Sequence, residues 1–162
     1  MGIVTVKPQS CVPVRTTSAE RAVMPEQVKN KCAIVVSEEL PAGLAANAAA
    51  VLSITLGHRV DGLVGADVKD ADGVAHPGIV GLPIPILNAA REKIATIVQA
   101  AVEEGELFFV SFTSLAQSCR TYDEYTEKMS VTSTAGLDTI GVGLHGPPKR
   151  VNRLVGALPL LR

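Results

Sequence analysis

Cys32-Ala-Ile-Val-Val36 is an unbroken apolar run rich in β-branched residues, and eight residues later the chain enters Leu44–Leu56, a segment of almost entirely small or apolar side chains. A strand with no polar alternation has to be covered on both faces. A helix that is apolar all round is expected to be buried as well. Pro41 and Gly43 punctuate the turn between them, and Gly57 stands where a helix-ending glycine belongs. A covered strand followed by a buried helix points to a layered α/β architecture.

The rest of the chain fits that frame. Asn88 is the expected N-cap of a helix running to about Glu104 and ended by Gly105, and Ile94, Ile97, Val98, Ala101 and Val102 form its inward stripe. Leu107–Thr113 reads as a second buried strand. Ser114-x-x-Gln117 and Thr121-x-x-Glu124 both have the capping-box spacing, which predicts two short helices near 114–119 and 122–131. Thr139–His145 is a third core strand, with Ile140, Val142 and Leu144 on one face and Gly141 and Gly143 on the other. Pro147 and Pro148 open a last helix, Gly156 closes it, and Leu158–Leu161 is set to end as a short strand. Between the first two helices, residues 58–83 are rich in Gly, Asp and Pro, and the turn at Asp70-Ala-Asp-Gly73 predicts a β-hairpin insert. Residues 1–29 show no period beyond a possible short strand near Ile3–Val6. They read as an arm ahead of a single α/β domain over 30–162. The expected fold is a three-layer α/β/α sandwich with a mostly parallel or mixed sheet.

Composition narrows the function classes. Fifteen basic and sixteen acidic residues leave a formal charge of -1, which is no nucleic-acid footprint, although tRNA stays open. Aromatic content is 3%, with no Trp, so the core is aliphatic. The longest apolar run, Ala42–Leu56, is interrupted by Asn47, Ser53 and Thr55 and is too short to span a bilayer. Cys11, Cys32 and Cys119 are far apart with no CxxC spacing, so neither a metal site nor a disulfide framework is expected, and a reducing cytoplasm is the default location. No cofactor motif stands out: the third glycine of a dinucleotide fingerprint falls out of register after Gly141-Val-Gly143.

Three segments in order carry a family likeness: Lys31–Leu56, Arg91–Phe112, and Thr139-Ile-Gly-Val-Gly-Leu-His-Gly-Pro-Pro-Lys149 with the residues up to Leu161. Together they resemble the type II peptidyl-tRNA hydrolase superfamily. Within it the closer likeness is to a branch catalogued as a domain of unknown function, number two thousand, carried by Glu39-Leu-Pro-Ala-Gly-Leu-Ala-Ala-Asn47, Phe112-Thr113 and the Tyr122/Tyr125 segment. The resemblance implies a homodimer and, in true hydrolases, a catalytic lysine near position 44 or 46 and an aspartate after the second core strand. Here Leu44, Ala46, Phe112 and Thr113 stand in those places. The lysine that would hold substrate and the acid that would orient water are both missing.

Several residues remain as site candidates. If the three core strands run parallel, they end at Ser37, Thr113 and His145 beside the helix opening at Gly43-Leu44, where free amides favour anionic groups. The expected pocket is bounded by Glu39, Asn47, Thr113 and His145, with Lys149 contributing a charge. His145, Asn47 and Thr113 are the catalytic candidates if the protein is an enzyme, which would then be a hydrolase. Two of them have a plainer role open to them: His145 bonded to a neighbouring carbonyl, Asn47 capping or bonding a neighbouring loop. Cys119 beside Arg120 lacks a base nearby in sequence, and Tyr122, Tyr125 and Met129 share a helical face that suits a core. The leading expectation is a small-molecule or nucleotide-binding protein. A divergent peptidyl-tRNA or aminoacyl-ester hydrolase and an oligomeric interaction module are the alternatives.

Overall fold

The β-branched run does form a strand buried on both faces. The computed structural model describes residues 30–162, so the expected arm over 1–29 lies outside the described residues. Strand β1, Lys31–Ser37, is fully buried from Cys32 onward. It lies inside a four-stranded sheet with β4, Ile86–Ala89, on one side and β6, Thr139–Gly146, on the other; β5, Phe108–Thr113, pairs beyond β6. β1 and β4 are parallel, whereas β6 is antiparallel to both β1 and β5. The sheet is therefore mixed: β1, β4 and β5 run one way and β6 the other.

Side-chain alternation along β1 sorts two cores. Cys32, Ile34 and Val36 point to helix α1, Ala42–Arg59, and pack with Ala45, Ala48, Leu52 and Leu56. Ala33 and Val35 point to the opposite face, where α2, Arg91–Glu104, supplies Ile94, Ile97 and Ala101, and α5, Pro148–Val155, supplies Val151 and Val155. Helices thus cover both faces of the sheet. Gly141 and Gly143 allow α1 to come close: a Cβ at Gly143 would sit 3.0 Å from Leu56 Cδ1, and one at Gly141 3.2 Å from Leu52 Cδ1.

Several boundaries differ from the sequence expectations, each for a local reason. Gly57 lies inside α1, which runs on to His58 and Arg59, basic residues that suit the negative end of the helix dipole. Nor is α1 buried all round, since Leu44, Val51 and Ile54 on its outer side are exposed. Asn88 is not a cap. It sits in β4 opposite Val36, its N–H donates to the Pro159 carbonyl, and α2 begins at Arg91 after Ala90. Gly105 does close α2, in the left-handed region at φ 65°. Ile140 faces the α1 core with Gly141 and Gly143, because Thr113 pairs with Thr139 and Phe112 with Gly141, and the irregularity leaves Ile140 opposite neither.

After β5 come the two short helices, α3 over Ser114–Ser118 and α4 over Tyr122–Ser130. Thr121 caps α4 as expected, but α3 is capped by Thr113, one residue before Ser114. The insert holds a small antiparallel hairpin of β2, Val68–Lys69, and β3, Ala75–His76, with Val64 bridging Val80 below it. The segment after α5 returns along β4: Leu160 bridges Leu87, and the Leu161 N–H donates to the Ile86 carbonyl.

Candidate functional site

The antiparallel course of β6 decides where the candidate residues fall. Because β6 enters the sheet at the end where β1 and β5 leave it, His145 pairs with Cys32 and Phe108, the starts of those strands. Thr139, which pairs with Thr113, is six residues from His145 along β6, roughly 20 Å of extended chain. The structure therefore does not bring His145 to Thr113, and the expected common pocket of Glu39, Asn47, Thr113 and His145 does not form. Lys149, in the first turn of α5 just after β6, goes with His145 to the far end. That pocket required the three core strands to run parallel, and nothing in an apolar strand's own residues reveals its direction.

At the carboxyl ends of β1 and β5 the polar groups are already engaged with one another. Ser37 is fully buried, and its Oγ accepts from the Glu39 N–H at 3.3 Å. The Glu39 carboxylate accepts from Arg91 Nε at 2.7 Å, and the same guanidinium holds Asp138. Thr113 is buried, with Oγ1 accepting from the Ala116 N–H at 3.2 Å. These contacts tie the β1 loop, the start of α2 and the approach to β6 into one brace. Gly43 and Leu44 form the first turn of α1 with no side-chain cap and no acid. His145 is half-buried, and burial holds its imidazole below the usual range.

Asn47 belongs to a different place. It lies on the rim of a cleft of about 460 Å³ between α1, the end of β5 and the α3–α4 pair. One wall is Asn47, Val51 and Thr55 from α1; the floor is Val110, Ser111 and Phe112; the other wall is Gln117, Cys119, Arg120, Tyr122 and Tyr125. The Gln117 amide reaches the Leu44 carbonyl at 3.4 Å, linking the walls at one end. The Tyr122 and Tyr125 rings sit with centroids 5.6 Å apart and planes tilted by 56°, a favourable aromatic geometry. They are not core, as their shared face had suggested: no residue of α4 is buried, and Tyr122 is 79% exposed. The capping-box spacings at Ser114 and Thr121 carried the usable signal, because two short helices after an edge strand form a wall beside it.

A second hollow, about 540 Å³, lies beside Lys31 and the Leu82–Pro85 segment, with few polar groups converging on it. Among the described residues no three His, Cys, Asp or Glu side chains gather as metal ligands. No helix there is long and apolar enough to cross a membrane. In the hairpin, the Asp70 carboxylate meets His76 Nε2 at 2.9 Å and accepts from the Asp72 and Val74 N–H groups, an arrangement that fixes the turn.

This mixed sheet with helices on both faces and an open side cleft defines an α/β protein, and comparison with known proteins agrees. Residues 30–162 match the family model described as protein of unknown function DUF2000, and the chain belongs to that family. The fold is similar to the solved structure of a protein of unknown function from Agrobacterium tumefaciens strain C58, with a TM-score of 0.73 at 16% identity, covering 82% of this chain and 98% of that one. No curated protein sequence matches.

Proposed function

We propose that the protein binds a small molecule in the cleft between α1, β5 and the α3–α4 pair, on a scaffold of the peptidyl-tRNA hydrolase II type. The observation that carries this is the cleft itself. Its volume suits a small ligand, and it joins an apolar floor to a few polar side chains from separate elements. The superfamily reading is supported by the layered mixed sheet and by the likeness of segments 31–56, 91–112 and 139–161. A hydrolase using His145, Asn47 and Thr113 in place of the missing lysine and aspartate is disfavoured, because His145 stands at the other end of the sheet.

A thermal-shift screen of small molecules tests the reading. A ligand at a hundred times its Kd stabilises the native state by about 2.7 kcal/mol, and Asn47→Ala should weaken that gain. Hydrolysis of peptidyl-tRNA is expected to be absent. Turnover of about 1 per second or faster would replace the binding reading with the hydrolase one.

One observation favours self-association as a second role. No charged residue occurs from Pro41 to Gly57, yet the outer side of α1 leaves Leu44 44% and Ile54 74% exposed. An uncharged apolar face is compatible with its own copy across a two-fold axis. Light scattering should show a dimer that Ile54→Lys converts to monomer; a wild-type monomer at high concentration removes this role.

A further inference from the structure

The charge of the cleft is one-sided. Its lining contains one cation, Arg120, and no Asp or Glu. None of the ion pairs among the described residues involves Arg120. The nearest acid in sequence on α4 with a role is Glu124, and it is committed to Lys128 at 2.7 Å and to the Arg120 N–H at 2.9 Å. The Arg120 backbone is thus held at the start of α4, and among the described residues no carboxylate pairs with its guanidinium.

Beside Arg120 stand Tyr122 and Tyr125, three positions apart on α4 and therefore on one side of that helix. Tyr122 leaves most of its ring open, where a planar group can stack. Asn47 on the opposite wall and Ser111 on the floor offer hydrogen-bonding groups. A guanidinium is suited to bidentate contact with a carboxylate or phosphate, and an aromatic pair at the same wall is suited to a ring. Bulk apolar contact alone would need neither.

We infer that the ligand of this cleft is a small planar ring bearing an anionic group, with the ring on the Tyr122–Tyr125 wall and the carboxylate or phosphate on Arg120. This rests on the cleft being the binding site, and it adds the chemical class. The carboxylate and the phosphate share one recognition, so the test carries an arm for each.

The chain has two tyrosines, both on this cleft, so tyrosine-selective ¹³C labelling gives ring signals from the site alone. The probes are 1-naphthoate and adenosine 5′-monophosphate, each beside its neutral counterpart, 1-naphthamide and adenosine, with inorganic phosphate and acetate as ringless anions. At least one charged ring compound should shift both sets of tyrosine signals and bind at least about tenfold tighter than its neutral partner, a difference of about 1.4 kcal/mol. Arg120→Gln should remove that preference and leave the neutral compound's affinity unchanged. Tyr122→Ala, at an exposed position, should weaken both. Equal affinity for charged and neutral rings, or equal binding of the ringless anions, overturns the assigned class and leaves the cleft as a binding site. Binding with the tyrosine signals unmoved, or no binding by any ring compound while the screen finds a cleft ligand of another kind, overturns it as well. If neither the probes nor the screen yields a ligand of the cleft, the binding reading falls with it.

Discussion

His145 shows how a single side chain can look functional and be placed for something else. It is half-buried at the end of β6, and desolvation favours its neutral imidazole. The unfolded chain takes up a proton near the ordinary value of 6.5, while the native state resists it. Stability is therefore whole above that value and is lost as pH falls through it toward the depressed native one. Denaturant unfolding at pH 7.5 and 5.5 should show the loss, and His145→Asn should flatten it; an unchanged slope in the variant would assign the dependence to another group. Asp70 acts in a separate, lower window. Its carboxyl is lowered chiefly by His76 and the Val74 N–H, so its contribution is present above the usual carboxylate range and fades as pH drops below it. Cys32 is the opposite of a reactive thiol: burial pushes it up to about 11, which leaves almost no thiolate at neutral pH.

At the scale of elements, α1 separates what burial does from what exposure offers. Leu52 is fully buried between the sheet and its own helix, whereas Ile54, two residues on, faces out. Leu52→Ala should cost about 2–5 kcal/mol, and Ile54→Ala about 0.5 kcal/mol or less in the monomer. Urea unfolding at low protein concentration measures both, and comparable losses would contradict the described packing of α1. The order of helices and strands was legible because periodicity reports burial: the stripe of α2, the unbroken run of β1 and the cap at Thr121 all belong to local sequence. The outer face of α1 was not legible, since an alanine-rich helix carries no polar stripe to mark its solvent side. Strand direction was not legible either. Val142 and Leu144 would be buried whichever way β6 ran, and this is what scattered the expected site residues between two ends of the sheet. Arg120, Tyr122 and Tyr125 were noticed in the sequence, but their meeting with Asn47 depends on α4 lying across from α1, which no local spacing encodes.

For the whole molecule, the mixed sheet fixes which margins remain open. β5 is the margin that borders the cleft, and the brace of Glu39, Arg91 and Asp138 holds the three segments that meet at its far end. The opposite margin, β4, would leave a row of free backbone donors and acceptors, a template on which any extended chain could add itself. The segment after α5 occupies that row: the Asn88 and Leu161 N–H groups are spent on Pro159 and Ile86 carbonyls, and Leu160 bridges Leu87. Removing residues 158–162 should therefore do more than shorten the chain. It should turn β4 into a growth point, so that light scattering and thioflavin fluorescence rise on prolonged incubation of the truncated protein and not of the parent. The last strand-like stretch is a guard against polymerisation, laid along the β4 margin of the sheet.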